Sequence, residues 1–139
     1  MVEPGDVAPE ILARLRPICR ALPEVTEQLA WIGLRWTVRR RSFAHVYTVD
    51  PKRHVVYART VGSDEPVCVV TFRAPAEEMH ALARSGYPLF RAPWGTNVIA
   101  MVLDDDTDWA EVAEFLTDSY CEQAPRKLAA LVRPLWTEA

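Results

Sequence analysis

Between Leu34 and Thr60 the chain reads LRWTVRRRSFAHVYTVDPKRHVVYART, and its cationic side chains point to one chemistry before others, the holding of phosphate. Arg35, Arg39, Arg40, Arg41, Lys52, Arg53 and Arg59 stand there against a lone acid, Asp50, although the formal net charge of the whole chain is −3. Charge segregated in this way can set up a positive patch on an acidic molecule, and phosphate responds to the patch more than to the total. Arg39–Arg41 and Lys52–Arg53 interrupt the strand pattern, which places them in successive hairpin connections. Connections one strand apart leave a sheet at opposite ends, so the two clusters need not converge. Trp36 and Tyr47 would stack on bases if they faced water. Alternation nevertheless puts Trp36 on one face with Val38, the pattern of a core. The competing account is that arginines at turns keep hairpins soluble and deter edge pairing.

Three other groups of residues raise chemical readings. In DDDTD, 104–108, Asp104, Asp106 and Asp108 have the alternate spacing of a calcium loop. Counting on from Asp104, however, the glycine position holds Trp109 and the bidentate glutamate position holds Phe115, so the match fails. Carboxylates just before a helix are accounted for by capping. His45, His54 and His80 form no metal-binding pair with one another or with a cysteine, and His45 in a strand reads as a satisfied or edge histidine. Cys19, Cys68 and Cys121 are odd in number and far apart; Cys19 and Cys68 lie among apolar neighbours as small hydrophobes. There is no phosphate-binding glycine motif and no nucleophile elbow. No metal, cofactor or catalytic residue is therefore expected, and the chain reads as non-enzymatic. In GYPLFRAPWGTN, Tyr87, Phe90 and Trp94 sit between turn formers, either as a partner or ligand loop or as a lid folded on the sheet. The lid is the preferred reading.

The elements that must position these residues are set by periodicity. Ile11, Leu15, Ile18 and Leu22 predict an amphipathic helix over 9–22, opened by Pro9 and kinked at Pro17. From about Gln28 to Phe72, LRWTV, FAHVYTV, HVVYART and VCVVTF read as strands joined by short turns, VDPKRH and GSDEP among them. Links this short imply an antiparallel meander. A helix is predicted over Pro75 to Arg84, with Met79 and Leu82 inward and Gly86 closing it. VIAMVL, 98–103, reads as a buried strand. A further helix begins at a capping box formed by Asp108 and Glu111 and carries Trp109, Val112, Ala113, Leu116 and Tyr120 on its apolar face. A last helical turn or two begins near Pro125. With 139 residues and no dividing linker, 1–139 is one α+β domain, an antiparallel sheet with helices on one face and the other face partly wet.

ALPEVTEQLAW, RRRSFAHV, PWGTNVIAMVL and DWAEVAEFLTDSYCEQAPRKLAAL, in that order, resemble the MmcQ/YjbR family over about Ile18 to Leu131. The resemblance implies a two-layer α/β domain of the secretion-chaperone-like group. It also implies DNA binding through a "double wing" of strand hairpins. Relatives carry a Gly-Lys-x-Phe-like turn where this chain has Arg40-Arg41-Ser42-Phe43. A left-handed turn there strains an arginine, so a different local backbone is expected. Ser119-Tyr120 and Pro125-Arg126-Lys127-Leu128 match the family's closing pattern, with Tyr120 in a structural role.

The expectation is a binding module that holds DNA weakly and without sequence preference, through backbone phosphates, at Arg39, Arg40, Arg41, Lys52 and Arg53. The rival is a protein-interaction domain using the sheet face or the aromatic loop. A small-ligand binder or enzyme, with a site between sheet and loop, ranks third. No apolar run is long enough to span a membrane, and the opening MVEPGDVAPE lacks the basic start and apolar centre of a signal peptide. A cytoplasmic protein is expected.

Overall fold

A computed structural model describes residues 7–50, 65–92 and 95–133. Its elements run α1 (Pro9–Arg20), β1 (Val25–Leu29), β2 (Leu34–Val38), β3 (Arg41–Val49), β4 (Val67–Arg73), α2 (Ala76–Arg84), β5 (Leu89–Arg91), β6 (Val98–Leu103), α3 (Trp109–Gln123) and α4 (Arg126–Val132). Among the described residues the strands form one six-stranded sheet in the order β1-β2-β3-β4-β6-β5, and every neighbouring pair is antiparallel. The proposed hairpin VDPKRH, beyond its first two residues, and the strand HVVYART lie outside the described residues. So do Lys52, Arg53, Arg59 and Trp94.

Local rules account for most element ends. Pro9 occupies the first turn of α1, and Pro17 is accommodated inside that helix, which continues to Arg20. Asp108 caps α3 by accepting from the N–H groups of Ala110 at 3.0 Å and Glu111 at 3.2 Å. Asp104, from the same acidic run, accepts from the N–H of Asp106 and from the Tyr87 hydroxyl. The run is thereby engaged in capping and loop closure.

The four helices among the described residues pack on one face of the sheet. Leu15 and Cys19 of α1, Met79 of α2, Val112, Leu116 and Tyr120 of α3 and Leu128 of α4 meet Val46, Val70, Phe72, Ile99, Met101 and Leu103. The opposite face is partly wet, as expected, and partly buried. Tyr47, Val49, Val69, Phe90, Val98, Ala100 and Val102 form a second buried cluster there. The reason is in β4 and β6, whose VCVVTF and VIAMVL are apolar at successive positions and so give both faces a hydrophobic surface.

One irregularity shapes the functional end of the sheet. Trp36 pairs with Ala44 and Thr37 with Ser42, so Phe43 is an extra residue, a bulge with no partner opposite. Its side chain is buried against Tyr120, ring edge to ring face at 5.4 Å. Its carbonyl, free of the ladder, accepts from the Ser119 hydroxyl at 2.5 Å. Tyr120 in turn donates its hydroxyl to the Pro23 carbonyl at 2.6 Å, the structural role expected of it.

Candidate functional site

Val38 pairs with Arg41, so Arg39 and Arg40 alone make the turn between β2 and β3. Their φ angles are 50° and 71°, the left-handed pair of a type I′ turn, whose twist suits a hairpin. Asparagine and glycine are the usual occupants; a residue with a Cβ gives up about 1–2 kcal/mol in that conformation. The expected change of backbone at Arg40 does not occur. The turn has left-handed geometry and the arginine takes it on, because a two-residue link between twisted antiparallel strands favours turns with positive φ.

The three arginines of this tip have different surroundings. Arg39 lies against Glu24, with Nε to Oε1 at 2.8 Å and a second guanidinium nitrogen to Oε2 at 3.1 Å. That hydrogen bond holds the Glu24 carboxyl below its ordinary range. Arg40 and Arg41 are exposed, and no carboxylate among the described residues lies within ion-pair distance of either. Trp36 and Tyr47, weighed as base-stacking platforms, are 0% and 3% exposed and belong to opposite core layers. Neither is accessible to a base.

The aromatic segment is divided between sheet and surface. Phe90 lies in edge strand β5, buried beside Val69, Ala100 and Val102. Tyr87 is half exposed, and its hydroxyl donates to Asp104 at 2.5 Å, which pushes its pKa up to about 12. The cysteines are no better placed for chemistry. Burial pushes the Cys68 thiol up to about 12, and it raises Cys19 as well, so both stay protonated at neutral pH.

A further grouping of residues is not apparent from the chain itself. On the face opposite the helices, Trp31, Arg35, His45, Thr71 and Arg73 line a groove of about 270 Å³. The register explains the gathering: Arg35 pairs with His45 and His45 with Thr71, across β2, β3 and β4, with Arg73 two residues further along. His45 donates Nε2–H to the Ile32 carbonyl at 2.6 Å, and burial, with Arg35 nearby, lowers its pKa. It is the satisfied histidine anticipated, though in a lined groove. Arg35, His45, Thr71 and Arg73 are polar residues in largely apolar strands, as Thr37 and Thr48 are, and only the register shows which of them meet.

A larger cleft of about 530 Å³ between α2, α3 and α4 includes Asp118, Glu122 and Arg133. There Arg133 is paired with Asp118 and Glu114, so its charge is spent within the fold.

The solved structures that resemble this fold include a protein of Pseudomonas syringae, with a TM-score of 0.58 and 16% identity, covering 79% of this chain and 97% of that one. A Deinococcus radiodurans protein with a DUF419 domain matches with a TM-score of 0.54 and 16% identity, over 88% of this chain and 81% of the other. At that identity the likeness concerns the fold. No curated protein matches the chain. The model of the YjbR family matches residues 20–122, from the last turn of α1 almost to the end of α3, and the chain belongs to the YjbR family.

Proposed function

We propose that this YjbR-family domain is a non-enzymatic binding module that holds duplex DNA weakly by its backbone, with the β2–β3 turn as the point of contact. The reading rests on one observation. Arg40, in the strained left-handed turn, and Arg41, the first residue of β3, have no carboxylate beside them among the described residues, whereas Arg16, Arg39 and Arg133 are each bound to one. Strain of this kind persists where a side chain is needed in that place. Two guanidiniums at a tip suit phosphate oxygens, and no helix among the described residues is presented for reading base edges, so recognition is indifferent to sequence.

Anisotropy of a labelled random-sequence duplex, titrated at several salt concentrations, tests the proposal. The wild type should lose affinity as salt rises, and Arg40→Glu/Arg41→Glu should flatten the log–log slope by about two, roughly one for each phosphate contact removed. Arg84→Glu on α2, which packs against β5 at the sheet edge opposite the β2–β3 turn, should leave most of the slope intact. Absence of binding at low salt, or equal losses in both variants, would refute the assignment and turn attention to a protein partner.

A further inference from the structure

We propose that the groove on the face opposite the helices is a binding site for a small anion carrying one flat ring, independent of the DNA contact at the β2–β3 turn. Its two guanidiniums are oriented without being neutralised. Arg35 Nε donates to the side-chain carbonyl of Gln28 at 3.1 Å, and Arg73 Nη1 donates to that of Asn97 at 2.9 Å. Both acceptors are uncharged amides, which aim the forks and leave their charge available. No carboxylate is among the described residues that line the groove, and its other polar side chains are Ser42, His45 and Thr71. An anion entering between β2 and β4 therefore meets two fixed cations and no competing acid.

His45 completes the middle of the site. Because a carbonyl can only accept, the His45 proton resides on Nε2 facing Ile32, and Nδ1 remains an acceptor. The Thr71 hydroxyl, across the strand pair from it, donates to the His45 carbonyl at 3.4 Å, a long bond that a ligand oxygen can replace.

Trp31 supplies the ring preference. It is fully exposed at the groove's rim, where the face of the indole is open to a flat partner. Its connection is well tied down. Ala30 N–H donates to the Gly33 carbonyl at 3.0 Å, Ile32 is held by His45, and Gly33 at φ 71° lies so close to β3 that a Cβ would clash with the Val46 carbonyl oxygen. The indole thus stands on a braced turn beside the two cations. A volume of about 270 Å³ accommodates one ring and its acidic group and excludes a dinucleotide.

The anionic group can be a carboxylate or a phosphate, and two probes that share one ring separate these sources, benzoate and phenyl phosphate. Each is titrated to about 10 mM, enough to approach saturation of a millimolar site, into ¹⁵N-labelled full-length protein while amide resonances are followed. Shifts that saturate at His45, Thr71 and Arg73 with either probe are expected. The probe that binds more tightly identifies the acidic group. Arg35→Gln and Arg73→Gln should each weaken binding about tenfold. Trp31→Ala should weaken the ring-bearing probe about fivefold and leave acetate or inorganic phosphate unchanged. Arg40→Glu/Arg41→Glu should leave these titrations unchanged, which keeps the outcome distinct from that of the DNA experiment. The proposal is overturned if neither probe perturbs the groove, or if Arg35→Gln/Arg73→Gln, its fold confirmed by an otherwise conserved spectrum, responds as the wild type does.

Discussion

Replacing Ser119 by alanine deletes one oxygen atom and strands two buried backbone groups. Ser119 is fully buried on α3; its hydroxyl donates to the Phe43 carbonyl at 2.5 Å and accepts from the Arg73 N–H at 2.7 Å. The first partner is the bulge residue, whose carbonyl the β2–β3 ladder leaves unused, and the second is the last residue of β4. One side chain therefore ties α3 to two strands at the end of the sheet that carries the arginine turn. Alanine fills nearly the same volume, so no cavity complicates the result. A buried polar group left without a partner costs about 1–3 kcal/mol, and two such groups, with some relaxation, come to about 2–4 kcal/mol. For a domain of about 5–15 kcal/mol total stability that is a large fraction. With a urea slope of about 1–3 kcal/mol per molar, the unfolding midpoint should fall by about 1–2 M. Thr117→Ala is the control two residues away. The Thr117 hydroxyl bonds only the Ala113 carbonyl of its own helix, at 2.7 Å, and its loss should change stability by less than about 0.5 kcal/mol. Ser119→Ala lying within about 0.5 kcal/mol of that control would refute the argument.

Two further outcomes concern the helix-to-sheet junction and the turn. Glu27 accepts from Arg16 at 3.1 and 3.0 Å and from the buried Trp36 indole at 3.0 Å, and the Arg16 bond foremost, with the Trp36 bond in support, holds its carboxyl below the ordinary value of 4.5 despite partial burial. A carboxyl depressed in the folded state contributes stability above its unfolded pKa and loses it as pH falls through the folded value. The stability difference between wild type and Glu27→Gln, from urea curves across the acid range, should thus be constant near neutrality and shrink on acidification below 4.5. A difference that grows there would contradict the assignment. Arg40→Gly relieves the left-handed turn and should raise stability by about 1 kcal/mol while weakening DNA binding, a trade visible in thermal melts and anisotropy together. Destabilisation by that change would show the turn to be unstrained.

Legibility in the chain varies by element. VIAMVL forms β6 with the expected limits, Asp108 caps α3, and the Pro75–Arg84 segment forms α2, because periodicity, caps and prolines act within a few residues of chain. Arg39 and Arg40 form a connection, as the strand pattern requires, but with a backbone that the residue types alone do not predict. Arginine's preference against left-handed φ counts for little beside the geometry demanded by two paired strands.

The sequence alone determined the α+β class, the order of most elements and the grouping of arginines near Phe43, all of which rest on local pattern and composition. Only the tertiary structure decided that Arg39 is spent on Glu24, that Phe90 turns inward and that a second buried cluster forms on part of the other sheet face. It alone brought Arg35, His45 and Arg73 together around one groove. Such facts depend on strand order and register, which join residues tens of positions apart. A side chain's charge is written in the chain, whereas its neighbours are set by which strands pair, and those neighbours decide whether the charge remains available to a ligand.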